Sequence, residues 1–229
     1  MYAVNPFDEI AERYQQALEE NLRFIPGGVE YYYENRAKLA RKIVNQRNSV
    51  GSILDFGGGI GLAIPHLHQQ FPHAQISIYD SSAESVSRAV QQHPSTQPLL
   101  LDQLSKRKFD LIFVAGVIHH VPLDMRNEIL MVLRDSLAPE GTICIFELNP
   151  LNPVTRRLVA CCPFDEDANL ISRRHLETLI NEIDGLEVNA GGYTVFLPPV
   201  LKLLRPIEKI LRWLPLGAQY YLGITSTKT

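Results

Sequence analysis

The sequence predicts an α/β protein built on a doubly wound, mostly parallel seven-stranded sheet with helices on both faces. Two observations carry this. From residue 50 onward short apolar strands alternate with helical patterns, as repeated βα units do. The strongest of these strands, Phe109 to Val114, is apolar without alternation, as expected when both sheet faces are covered. Composition agrees. The 229 residues are 45% hydrophobic and 21% charged, ordinary globular usage and enough for one sizeable core.

The elements follow in order. Asn5-Pro6 reads as a cap, and Phe7, Ile10, Tyr14, Ala17 and Leu18 then share one helical stripe. Ile25-Pro26-Gly27-Gly28 breaks that helix. A second runs from Glu30 to Asn48, with Tyr33, Ala37, Ala40 and Val44 facing one way. Val50 to Phe56 is a strand cut short by glycines, Leu62 to Gln70 a helix, and Gln75 to Tyr79 an alternating strand. Ser81 and Glu84 form a capping-box pattern that starts a helix reaching Gln91. Pro98 to Leu101 is a weak strand, and Asp124 to Leu137 a helix with Ile129, Val132, Leu133 and Leu137 on its buried stripe. Pro139-Glu140-Gly141 turns the chain into the strand Thr142 to Glu147. The tail reads as helix Ser172 to Ile183, strand Leu186 to Phe196, helix Pro199 to Leu214 and strand Gln219 to Thr225.

Charge and cysteine content narrow the function classes. With 22 basic and 25 acidic residues the net charge is −3, which disfavours a protein that coats nucleic acid. The longest apolar run, Leu111 to Ile118, is far below the ~18 residues of a membrane span. The first residues lack a basic region followed by an apolar one, so no secretory signal is expected. Cys144, Cys161 and Cys162 fit neither a disulfide framework nor a zinc site, and a cytoplasmic location is expected.

The most informative segment is Asp55-Phe56-Gly57-Gly58-Gly59-Ile60-Gly61, which ends a strand and opens a helix. Glycines there let backbone approach a ligand, and the helix start offers unpaired N–H groups. A nicotinamide fingerprint would need a third glycine at position 62, which is Leu62. Asp80 ends the next strand, where a carboxylate can accept both hydroxyl protons of a ribose.

These residues resemble the class I S-adenosylmethionine-dependent methyltransferases, whose first motif is D-x-G-x-G-x-G. Two later segments are similar as well: Phe109 to Val121, a fourth strand running into His119-His120-Val121, and Leu137-Ala138-Pro139-Glu140-Gly141, with Glu140 in place of the usual glycine. The resemblance implies a single Rossmann-like domain with an antiparallel last strand and S-adenosylmethionine as cofactor. It implies that Gly57, Gly59 and Gly61 line the methionyl and ribose parts and that Asp80 holds the ribose. Asp55 would hold the amino group, and Asp102, with Gln103 next in line, the adenine. Gly58, Ser81, Ala115 and Gly116 complete the expected cofactor set.

Methyl transfer from a sulfonium is a displacement that needs alignment and no metal. An oxygen or nitrogen acceptor has a proton to lose, and an imidazole is suited to taking it. His119, His120 and Glu147, past the fourth and fifth strands, are therefore the catalytic candidates. Either histidine can fill that role, the other shaping the loop.

Tyr14 and Tyr33, in a helical lid region over residues 1–48, are acceptor-side candidates. Asn149 and Arg156, in an insertion over residues 149–171, are the others. The insertion carries E-x-N-P-x-N-P-x-T and C-P-F-D-E-D-A patterns that resemble a set of bacterial methyltransferases.

The expected activity is O- or N-methylation of a small molecule. The alternative is a non-catalytic protein that keeps cofactor binding. Pro199 to Leu214 is amphipathic and basic on one side, which suits either a sheet-covering helix or a membrane-surface element. Pro206 favours sheet covering, with Ile210 on the buried face.

Overall fold

The computed structural model describes residues 28–44, 49–162, 168–197, 208 and 210–227. Helix α1, Gly28–Val44, is followed by strand β1, Ser52–Phe56, helix α2, Ile64–Gln70, and strand β2, Gln75–Tyr79. Then come α3, Ala83–Gln92, the short β3, Gln97–Pro98, α4, Leu101–Leu104, and β4, Phe109–Ala115. Two 3-10 turns, Ile118–His120 and Leu123–Met125, lead into α5, Arg126–Asp135, and β5, Leu137–Leu148. Helices α6, Pro153–Ala160, and α7, Arg173–Asn181, precede β6, Leu186–Thr194, and β7, Gln219–Ser226.

The seven strands lie in the order β3-β2-β1-β4-β5-β7-β6. Strands β1 to β5 pair in parallel, while β7 runs antiparallel between β5 and β6. This is the Rossmann-like sheet that the repeated βα pattern predicts.

The unalternating strands have their explanation in the two cores. Leu54, Ile112, Val114, Ile143 and Ile145 face one layer, against Leu130 and Leu133 of α5 and Leu176 and Ile180 of α7. Ile53, Leu111, Phe113, Cys144 and Phe146 face the other, against Ala37 and Ala40 of α1 and Ile64 and Leu67 of α2. Most residues of the central strands are buried on one side or the other, so few can be polar cheaply.

Several boundaries differ from expectation. The cap of α3 is Ser82, whose hydroxyl accepts from the Ser85 N–H, one residue later than the capping-box pattern suggests. Ser81 is thereby left at the strand end. The Pro139-Glu140-Gly141 turn is a bulge inside β5: Phe109 pairs with Leu137, and Leu111 already pairs with Thr142. A side chain at Gly141 would come within 2.7 Å of the Phe109 carbonyl oxygen, so the bulge requires glycine. The helix expected from Asp124 begins as a 3-10 turn and becomes α-helical at Arg126.

Phe7 to Leu18, including Tyr14, and most of Pro199 to Leu214 lie outside the described residues. Ile210, assigned to a buried face by its spacing, is 72% exposed. Among the described residues no helix is long and apolar enough to cross a membrane.

Tyr220 of β7 fastens the tail to the sheet. Its ring is fully buried and its hydroxyl donates to the Ile171 carbonyl at 2.9 Å, just before α7. Burial pushes this phenol's pKa well up, so it remains a donor. Tyr220→Phe is expected to lower stability by about 1–3 kcal/mol through the unpaired carbonyl. Urea unfolding should show a lower midpoint at an unchanged slope.

Candidate functional site

The carboxyl ends of β1, β2 and β4 open onto a cavity of about 300 Å³. Its floor is the glycine loop. Gly57 and Gly58 both donate their N–H groups to the Tyr79 carbonyl, at 2.7 and 3.1 Å, which folds the loop back over β2. Gly59 donates to Asp80 Oδ2 at 2.8 Å, while Asp80 Oδ1 accepts from the Ser82 N–H at 2.9 Å. Asp80 therefore pins the loop to the start of α3 and still lines the cavity, beside Ser81.

The glycines divide by role. Gly57 and Gly59 line the cavity. A Cβ on Gly59 would meet no atom within 4 Å, so the space beside it is left for a ligand. Gly58 instead abuts Asp55, where a Cβ would sit 2.7 Å from Oδ2, and Gly61 packs against Ile64 and Ala89.

The opposite wall is the loop after β4. Gly116, Val117, His120 and Val121 line the cavity. Glu147, at the end of β5 and fully buried, holds this loop from behind. Its Oε1 accepts from the Val117 and Ile118 N–H groups at 3.0 and 2.7 Å, and its Oε2 accepts from His119 Nδ1 at 2.6 Å. Burial pushes the Glu147 carboxyl up, but the His119 charge and the three donors outweigh it, leaving the pKa below the ordinary carboxylate value. His119 is 4% exposed and its ring lies 4.1 Å from that of His120, centroid to centroid.

The histidine pair thus divides as its loop geometry demands: His120 faces the cavity and His119 anchors the loop. Glu147 does not face the mouth as expected. With its oxygens committed to the loop, it is a positioning residue.

Other expected residues fall elsewhere. Asn149 is buried, with its amide donating to the Pro215 and Gly217 carbonyls, so it joins two loops and does not face a ligand. Arg156 is exposed on α6, away from the cavity lining. Asp102 is exposed and 3.8 Å from Lys106, while its neighbour Leu101 lines the cavity. Ala115 packs into the core beside α1. Tyr33 stacks on His66 and carries Arg36 over its ring, and the cavity does not reach it.

Tyr79, Met125 and Ile129 belong to the walls although the sequence marks none of them as a site residue. Tyr79 precedes Asp80 at a strand end, which is a signal; Ile129 reads as plain core. Arg126 was missed too. It is buried and donates to the Val121 and Asn169 carbonyls, bracing the histidine loop from α5.

Residues 54–143 match the family model of a methyltransferase domain. That match runs from β1 into β5, and the sheet around it has the strand order of the class I methyltransferase fold. Solved structures share its fold. The plantazolicin methyltransferase BpumL, in complex with a monoazolic desmethylPZN analog and SAH, is 15% identical over 97% of this chain and 98% of its own, with a TM-score of 0.65. A SAM-dependent methyltransferase from Archaeoglobus fulgidus is 14% identical over 93% of this chain and all of its own, at 0.65. The TehB-like SAM-dependent methyltransferase from Corynebacterium glutamicum is 21% identical over 98% and 100%, at 0.58. No curated protein matches the chain in sequence.

The methyltransferase domain implies S-adenosylmethionine, and the residues present fit it. Asp55 Oδ2 is buried without a hydrogen-bond partner. Burial, with the nearby Asp80 charge adding to it, pushes its pKa up to about 7. An unpaired carboxylate beneath the glycine loop is what a cationic amino group would satisfy. Among the described residues no group of side chains could hold a metal ion.

Glu147 should contribute to acid sensitivity. Its folded pKa lies below the ordinary carboxylate value of 4.5, so its contribution is fully present above that value and is lost as pH falls through the folded one. Glu147→Gln is expected to cost about 3–5 kcal/mol at neutral pH. In thermal melts the gap from the unaltered protein should narrow below pH 4.5.

Proposed function

We propose that this protein transfers a methyl group from S-adenosylmethionine to a small-molecule acceptor, at oxygen or nitrogen rather than carbon. The observation that carries the reading is the two-sided cavity, with the glycine cradle and Asp80 on one wall and His120 on the other. When bound, S-adenosylmethionine supplies an electrophilic methyl group on a sulfonium. The chain's residues do the rest. Asp55 takes the amino group, Asp80 the ribose hydroxyls, and the apolar side chains of Ile60, Leu101, Met125 and Ile129 exclude water from the flat base and the acceptor.

His120 receives the proton that an oxygen or nitrogen nucleophile sheds. It is held there indirectly: Glu147 fixes His119, and His119 underlies His120. A positioned base of this kind contributes ~10²–10⁴-fold. Incubating the protein and cofactor with a metabolite extract tests the reading. A product heavier by one methyl group is expected, and cofactor binding without any such product would favour the non-catalytic alternative.

His120→Ala should lower kcat by ~10²-fold or more with S-adenosylhomocysteine affinity unchanged within a few-fold. Full-rate turnover in that variant would assign His120 to loop structure.

Asp55→Asn should do two opposite things. Because the folded Asp55 pKa of about 7 exceeds the ordinary 3.8, the native state binds the extra proton, and stability falls as pH rises between those values. Replacing the group removes that loss, so at pH ~8 the unliganded variant should be more stable, by of order 1–4 kcal/mol. Calorimetry should nevertheless show S-adenosylhomocysteine binding weakened ~10-fold by loss of the charge-assisted bond.

A further inference from the structure

Ten large apolar side chains are exposed among the described residues, and half of them cluster away from the cofactor cavity. These are Leu151, Val154, Ile210, Trp213 and Leu216. Ile210 and Trp213 are 72% and 73% exposed, far more than a folded chain needs at neighbouring positions. They sit on a fixed platform. Asn152 Nδ2 donates to the Leu216 carbonyl at 2.6 Å and Thr155 Oγ1 to the Ala218 carbonyl at 3.0 Å. With the two Asn149 bonds, these tie the start of α6 to the loop before β7.

A groove of about 1020 Å³ runs through the cluster, with Leu151, Ile210 and Trp213 on its walls. Three arginines share those walls: Arg173, Arg174 and Arg212. Arg173 pairs with Glu177 at 2.7 Å and lies over the Tyr193 ring, while Arg212 lies over Tyr221. Arg174 is exposed on the first turn of α7. The acids nearby are committed. Glu177 holds Arg173, and Glu208 accepts from the Phe196 and Leu197 N–H groups. The groove lining sets three arginines against the single acid Glu177, so positive charge is in excess there, among side chains that stand out into water.

From this juxtaposition of exposed aliphatics, an exposed indole and an excess of arginine over acid we propose that this face docks onto an anionic membrane surface. Apolar side chains of this kind reach the headgroup boundary, indole favours that boundary, and long cations stay with the lipid phosphates. Charge complementarity selects an anionic bilayer over a neutral one. The platform follows the carboxyl end of β5, and β6 ends beside it pointing the same way, since both are antiparallel to β7. The bilayer would face the end of the sheet that carries the cavity. The inference stands apart from the acceptor chemistry.

The chain supplies its own reporter, because Trp213 is its single tryptophan. The protein is mixed with phosphatidylcholine vesicles, with and without phosphatidylglycerol, at low and high salt. Co-sedimentation and a blue shift of the tryptophan emission are expected only with phosphatidylglycerol, both weakening at high salt. Arg174→Glu should lower the partition at least ~10-fold, and Ile210→Ala should lower it too, each with an unchanged far-ultraviolet circular dichroism spectrum. The proposal is overturned by absent co-sedimentation, by equal binding to neutral vesicles, or by binding without a shift in emission. A shift that grows with protein concentration in the absence of vesicles overturns it as well, by assigning the face to a second copy of the chain.

Discussion

A single buried carboxylate organises the active end of this molecule. Glu147 leaves β5 fully buried and collects three donors from the loop after β4: two backbone N–H groups and the His119 imidazole. A charge so deep is tolerable only if its oxygens are satisfied, and among the described residues it is this loop that satisfies them. The loop is thus held by an energetic requirement of its neighbour strand. Its position in turn fixes Gly116, Val117 and His120 along the cavity.

The opposite wall uses carboxylates differently. Each Asp80 oxygen accepts one backbone N–H, from Gly59 and from Ser82, and so couples the glycine loop to α3. Asp55 lies below the same loop with one oxygen unpaired. Glu147 is driven toward its ionised form by donors, and Asp55 toward its neutral form by burial. The first arrangement suits a scaffold. The second holds an unmet electrostatic demand that a cationic ligand group can meet.

The tail closes the sheet and prepares a separate surface. Because β7 inserts antiparallel between β5 and β6, the loop before β7 returns to the carboxyl end of β5. Asn149, Asn152 and Thr155 bond to carbonyls of that loop, which saves its backbone from being unpaired. The same bonds hold Leu216 out beside Leu151, close to Trp213 and the arginines. An apolar cluster that no described element covers results from a connection whose carbonyls, from Pro215 to Ala218, are all bonded.

The sequence by itself determined the sheet and the cofactor loop. Period and glycine spacing are local, so βα units, the cradle at Gly57 to Gly61 and the acid at Asp80 could be read residue by residue. It also marked a histidine pair just past a strand end, either member of which could face the cavity or shape the loop. Which of them faces the cavity was decided only by the pairing of β4 with β5, which brings Glu147 behind His119 and leaves His120 forward. Asn149 and Arg156 could not be sorted for the same reason. One is consumed by carbonyls more than sixty residues away, and the other is turned outward by α6. The start of α3 moved by one residue because Asp80 accepts from Ser82, a bond set by the loop fold and not by the capping pattern. Ile210 shows the limit most clearly: helical spacing says which residues share a face, and only the tertiary structure says whether anything lies against it.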